Sequence, residues 1–242
     1  MPTIKLSRCL IALVASAACL SSAGAANLVQ IDGAHTTFFY DADFWGVGAA
    51  SVIGDTISLQ VRPEFDVTAT VRPGTATGTQ TQQNSDFASF GVVAVAKTGY
   101  ALQTRVGSGL TGSYAVDAKG SEAQASLVGT VFAGALQNGA FVPQTPLTGL
   151  PSWANYASNG TAQAANFNVM MYSANPLSYA NAVAVDSYLT TYVHQVGSGT
   201  AAMTLNTAQY AFSAVAVPEP QTYAMLLGGV VALSVASRRR KA

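Results

Sequence analysis

Two histidines, His35 and His194, are the only imidazoles in the chain. Neither stands at His-x-x-x-His or Glu-x-x-His spacing, so the sequence offers no helical metal pair. Ser108 and Ser198 lie directly between glycines, in Gly107-Ser108-Gly109 and Gly197-Ser198-Gly199. A nucleophile elbow needs G-x-S-x-G spacing to hold its serine on a strained strand-to-helix turn. These triplets read instead as plain turns. Asp41-Ala42-Asp43, with Asp55 or Asp66, offers carboxylate oxygens to calcium, but the segment lacks the rest of a six-to-eight-oxygen loop and reads as solvated acids. The residues best suited to binding are Asp186-Ser187-Tyr188-Leu189-Thr190-Thr191-Tyr192-Val193-His194. In a strand, Asp186, Tyr188, Thr190, Tyr192 and His194 share one face. Tyrosine rings beside hydrogen-bonding groups stack on sugars, which makes this the candidate glycan site. A half-buried sheet face would carry the same residue types. No catalytic residue, metal site or cofactor is expected.

The elements that must position these residues are strands. Ile57, Leu59 and Val61 alternate with Thr56, Ser58 and Gln60, and Met203 and Leu205 with Ala202, Thr204 and Asn206. Tyr100, Leu102, Thr104 and Val106 alternate with Ala101, Gln103 and Arg105. This period of two marks strands with one face buried. Phe87 to Ala96 is nearly all apolar or small, as in a central strand covered on both faces. Gly54-Asp55 predicts a hairpin turn. Pro73-Gly74 and the polar stretch from Thr75 to Asn84 predict an exposed loop. Pro143, Pro146, Pro151 and Trp153 predict a long connection with a short helix over 152–157. About ten strands at short spacing predict an all-β, antiparallel two-sheet sandwich or jelly-roll-like ectodomain. Tyr40, Phe44 and Trp45 read as core.

Charge is scarce, at 9% of residues, where soluble domains carry roughly 25%. Such a surface, rich in small neutral residues, leans toward an extracellular setting. The formal net charge is zero, but this sum includes basic residues at both ends. Between them, five basic residues face ten acidic ones. An acidic body excludes a nucleic-acid binder, which needs a basic face for phosphates. Cys9 and Cys19 are the only cysteines, and both fall in the N-terminal export segment, leaving the mature chain without thiols.

The two ends read as addresses. Over residues 1–25, Lys5 and Arg8 precede an apolar run from Leu10 to Leu20, and Ala23-Gly24-Ala25 closes it. That order is a secretory signal peptide. Residues 26–216 form the ectodomain, and 217–242 a tail. In the tail, Pro218-Glu219-Pro220 precedes an uncharged stretch from Thr222 to Ser237, followed by Arg238, Arg239, Arg240 and Lys241. As one transmembrane helix, those 16 residues span about 24 Å, short of the ~30 Å hydrocarbon core, a gap that snorkelling arginines and local thinning cover. The basic cluster stays cytoplasmic and the body faces outward.

This tripartite tail, with Val217 before it and Thr222-Tyr223-Ala224-Met225-Leu226-Leu227 inside it, resembles the PEP-CTERM sorting signal. The resemblance implies transient handling by the Sec translocon, the inner membrane and an exosortase, cleavage near Pro218-Glu219-Pro220, and release or transfer to the cell surface. It also implies an association with exopolysaccharide and biofilm. His35-Thr36-Thr37-Phe38-Phe39-Tyr40 followed by Ser51-Val52-Ile53-Gly54-Asp55-Thr56-Ile57 resembles a pattern found early in some ectodomains of that family. The expected function is a structural, non-enzymatic surface or extracellular-matrix protein. The alternatives are an exopolysaccharide-binding module and, least favoured, a secreted hydrolase, which would need two carboxylates converging at about 5–9.5 Å.

Overall fold

The computed structural model describes residues 27–74, 78–117, 120–138 and 140–217. The signal peptide over 1–25, Pro218-Glu219-Pro220, the stretch from 222 to 237 and the terminal basic cluster lie outside the described residues. Among the described residues, no helix is long and apolar enough to cross a membrane.

The described chain is mostly antiparallel β, in several sheets. The first sheet has the order β1 (Leu28–Asp32), β2 (Thr36–Asp41), β6 (Thr79–Ala96), β13 (Ala182–Val196), β9 (Glu122–Gln137), β10 (Ala140–Ala157). The second runs β11 (Gln163–Tyr172), β8 (Gly107–Val116), β14 (Gly199–Ala211), β4 (Thr56–Gln60), β3 (Ala50–Ile53), and β5 (Val67–Val71) continues along β14 beyond β4. A small third sheet joins β12 (Tyr179–Ala180), β7 (Tyr100–Gln103) and β15 (Ala214–Ala216). One four-residue helix, α1 (Ala42–Trp45), follows β2, with the Asp41 carboxylate accepting the Asp43 N–H at its start.

The two large sheets share one apolar core. Leu127, Val183, Leu189 and Val193 enter it from the first, and Ile57, Leu59, Leu110, Met203 and Tyr210 from the second. Alternation builds both faces: Val67, Ala69 and Val71 are buried while Thr68 and Thr70 are exposed. In β14 a register shift between Leu205 and Thr207 changes the phase, so burial passes from 201, 203 and 205 to 208 and 210. The sheets are also joined by a hydrogen bond and a ring stack. Ser187 Oγ and the Tyr210 hydroxyl lie 2.6 Å apart in the core, and Tyr114 of β8 stacks on Tyr156 of β10 at 3.7 Å. Tyr40, Phe44 and Trp45 are core, as expected, and the Trp45 indole donates to the Gly91 carbonyl.

Several expectations are corrected. Fifteen strands are present among the described residues, against about ten expected. The connection through Pro143, Pro146 and Pro151 is the long strand β10, and 152–157 is strand, not helix. Its prolines are tolerated because β10 is the edge of its sheet, where a missing N–H breaks no ladder bond; the register shifts beside Pro143 and Pro146. The loop expected as far as Asn84 ends by Thr79, where β6 begins. There the amide side chains have a use: Gln82 Oε1 accepts the Thr68 N–H at 3.0 Å and Gln80 Oε1 the Thr70 N–H at 2.9 Å. They cap the outer edge of β5 and close that side of the fold. Gly107-Ser108-Gly109 is no turn but the start of β8. Its glycines accept the neighbouring side chains of Tyr172 and Met170, which lie where a Cβ would stand. Gly197-Ser198-Gly199, by contrast, does turn β13 into β14, with Gly197 at φ 68°. The Gly54-Asp55 hairpin joins β3 to β4 as expected.

Candidate binding face and sorting junction

Strand β13 is flanked by β6 and β9, and β10 lies beyond β9. Its residues Ser187, Leu189, Thr191 and Val193 point into the core, leaving Tyr188, Thr190, Tyr192 and His194 on the outer face. The register sets this face out in rows. Tyr188 lies between Phe87 and Val128, with Pro151 beyond; Thr190 lies between Ser85 and Ser126, with Trp153 beyond. Tyr192 lies between Gln83 and Gln124, with Asn155 beyond, and His194 between Thr81 and Glu122. Phe87, Trp153 and Tyr188 are 40–55% exposed, unusual for large rings on a sheet in water. A shallow groove of about 140 Å³ runs between Trp153 and Tyr192, lined also by Gln124, Asn155 and Thr190.

Polar contacts hold the face in place. The neighbouring Ser85 and Thr190 side chains hold the pKa of the Tyr188 phenol below the usual tyrosine value. His194 Nδ1 lies 2.8 Å from the Thr81 hydroxyl. Asp186 stands apart. It sits in a β-bulge where the register shifts between Val185 and Ser187, and its carboxylate accepts the Phe90 N–H at 3.0 Å. Burial raises its pKa, and the bond from Phe90 only partly offsets this. The structure thus brings Tyr188, Tyr192 and His194 together and gives Asp186 a backbone-holding role. It adds Phe87 and Trp153, which the sequence reading missed. The signal for Trp153 was present in Ser152-Trp153-Ala154-Asn155, an alternation with small residues inside and the large ring outside.

The remaining candidates are dispersed. Asp55 binds His35 through its backbone N–H (2.8 Å) and through Nδ1 (2.9 Å). Burial pushes the Asp55 carboxyl up, but these bonds and the nearby Thr36 side chain outweigh it and hold its pKa below the usual value. The pair joins the segment before β2 to the turn between β3 and β4. Asp66 accepts the Leu205 N–H. Among the described residues, no three His, Cys, Asp or Glu side chains gather as a metal site. An open depression of about 610 Å³ near Ser51, Asp66 and Asn206 has no acid but Asp66.

The C-terminal junction is abrupt. β15 pairs with β7, the Val217 N–H donates to the Gly99 carbonyl at 2.8 Å, and the next residue is Pro218.

Residues 216–241 match the family described as "PEP-CTERM protein-sorting motif". The chain therefore carries a PEP-CTERM sorting motif, which marks an exported protein processed by exosortase and sorted or anchored through its C-terminus. No curated protein matches the sequence. Among solved structures, one titled "Structure of infectious bursal disease virus Gt strain" is 11% identical, with a TM-score of 0.12. The match covers 72% of this chain and 47% of that one, so this chain spans about half of its length. A score so low carries no argument about fold or function.

Proposed function

We propose that this chain is a non-enzymatic surface or extracellular-matrix protein, carried across the inner membrane by the Sec translocon and freed from its anchor by exosortase. The sorting motif abutting the last strand of a β domain supports this reading. The two-sheet arrangement is that of a sandwich, a stable scaffold for display outside the cell. Replacing Pro218, Glu219 and Pro220 with alanine is expected to leave full-length protein in the inner membrane, detected by fractionation and immunoblotting. Normal release of the ectodomain from that variant would refute sorting at this motif.

A second reading, an exopolysaccharide-binding module, is favoured by one observation: exposed aromatic rings lie among amides and hydroxyls on a nearly uncharged sheet face. Flat rings take the apolar face of a pyranose while the amides take its hydroxyls. Retention of the released ectodomain on polysaccharide columns would be weakened about tenfold or more by Tyr188→Ala with Trp153→Ala, since each 1.4 kcal/mol is tenfold in affinity. Equal retention of both forms, or none of either, would remove this reading and leave the structural one.

A further inference from the structure

We propose that the end of the β domain from which the tail departs is a membrane-contact face, resting on the bilayer surface while the chain is anchored. The proposal rests on the reading of residues 222–237 as a membrane span.

The sheet registers bring Thr36, Ala96, Ala182, Gly134 and Ala211 to one end of the molecule, where β15 and Val217 also lie. Half of the exposed large hydrophobic residues among those described gather there: Ile53, Val142, Tyr172, Leu177, Tyr179 and Val217. Ile53 precedes the Gly54-Asp55 turn, which is tied to the end of β14 by the Phe212 N–H donating to the Asp55 carbonyl. Tyr172 is opposite Gly107, itself opposite Ala211. Leu177 and Tyr179 border β7 through β12. Ile53, Leu177, Tyr179 and Val217 are 49–85% exposed. An open depression of about 560 Å³ lies beside Tyr179 and Val217, and Ile53, Val142, Tyr172 and Leu177 lie outside its lining.

Formal charge at this end is balanced, two bases against two acids, while the rest of the body holds three bases and eight acids. Lys97 and Arg105 are both here, with the Arg105 guanidinium 5.3 Å from the centre of the Tyr172 ring. Of the ten body acids, only Asp32 and Asp55 are nearby. Asp55 is held by His35, and Asp32 lies 3.9 Å from the Lys97 amine. Tyrosine is enriched at both membrane–water interfaces, and lysine and arginine side chains serve as interfacial anchors.

Chain length keeps this end of the domain close to the membrane. Five residue steps separate Val217 from Thr222, at most about 17 Å fully extended. The headgroup layer on one side takes about 5–7 Å of that. Because the Val217 N–H is bonded to Gly99, the domain has only about 10 Å of slack above the headgroups. A slack this short holds the exit end against the membrane, and the apolar side chains there are the ones that meet it.

The test uses the full chain with Cys9→Ala and Cys19→Ala, reconstituted in vesicles of phosphatidylethanolamine and phosphatidylglycerol. Single cysteines carry an environment-sensitive fluorophore: Leu177→Cys on the proposed face, Asn159→Cys at the opposite end and Leu227→Cys in the tail. The expected result is a blue shift at 177, with loss of emission to headgroup-level spin-labelled lipid, and neither at 159. Equal behaviour at 177 and 159, with 227 quenched by lipid, overturns the contact face and leaves the anchor standing. No quenching at 227 overturns the span and the contact face with it. A lipid-independent, concentration-dependent shift at 177 assigns the face to a second copy of the chain and also overturns the proposal. Leu177 is exposed, so its replacement does not disturb the core.

Discussion

Replacing Gly129 with alanine is expected to destabilise the domain by about 3 kcal/mol, the upper part of the range for forced overpacking. A Cβ at Gly129 would collide with the Asp186 carbonyl, backbone to backbone, at the bulge of β13. No side chain can swing aside to make room. The strand must move, and β13 is the centre of its sheet, with Ser187 and Leu189 of the next residues in the core. Gly112 predicts the same outcome, because its Cβ would meet the Thr204 carbonyl. For a domain of this size, 3 kcal/mol corresponds to a fall of about 6–12 °C in melting temperature. Gly149→Ala is the control. Its Cβ meets only the Gly129 carbonyl, at 3.6 Å, and the change should stay within about 0.5 kcal/mol. Calorimetry of the three variants checks the ranking; a Gly129→Ala melting temperature equal to that of Gly149→Ala would show that the bulge yields freely.

Tyr210→Phe should carry a cost that depends on pH. The phenol is fully buried, and its hydroxyl lies 2.6 Å from Ser187 Oγ. Removing it strands the buried serine hydroxyl, at about 1–3 kcal/mol. Burial, reinforced by the nearby Asp186 charge, drives the phenol pKa far above the usual tyrosine value, against a smaller opposing effect of the Ser187 bond. The sign follows from which state keeps the proton. An unfolded tyrosine ionises near pH 10, while Tyr210 in the fold stays neutral. Its contribution is therefore complete below about pH 10 and declines above it by about 1.4 kcal/mol per pH unit. The phenylalanine variant lacks that decline. Denaturant midpoints should show wild type ahead at pH 8 and the gap closing or reversing by about pH 12. A constant gap at both pH values would mean that the phenol ionises within the fold.

Much of the fold was legible because inner and outer residues differ in polarity. Ile57, Leu59, Met203 and Leu205 are apolar and buried, and their neighbours are small or polar. The Gly54-Asp55 turn is local chemistry and was equally readable. Strand β10 was hidden because its pattern is inverted. Ser152 and Ala154 face inward, where Ser152 donates to the Ser108 carbonyl, while Trp153 faces water. Its prolines also argue against a strand until the strand is known to be an edge. Phe87 was lost in an apolar run whose far half is buried and whose near half is not. The candidate face was therefore half legible: Tyr188, Tyr192 and His194 follow from alternation along one strand. Phe87 and Trp153 join them only through pairing between strands distant in sequence. Asp186 left the set because a bulge, invisible in a single sequence, breaks the alternation beside it.

The amide caps of Gln80 and Gln82 bear on edge-to-edge association. With 9% charged residues, the surface has little electrostatic repulsion to keep copies apart, and salt would screen what there is. Sheet edges are the usual route by which such chains would join. Here the β5 edge is occupied by the protein's own side chains, and β10 carries prolines. At these two edges, pairing with another copy is opposed by backbone contacts and prolines, which salt does not screen.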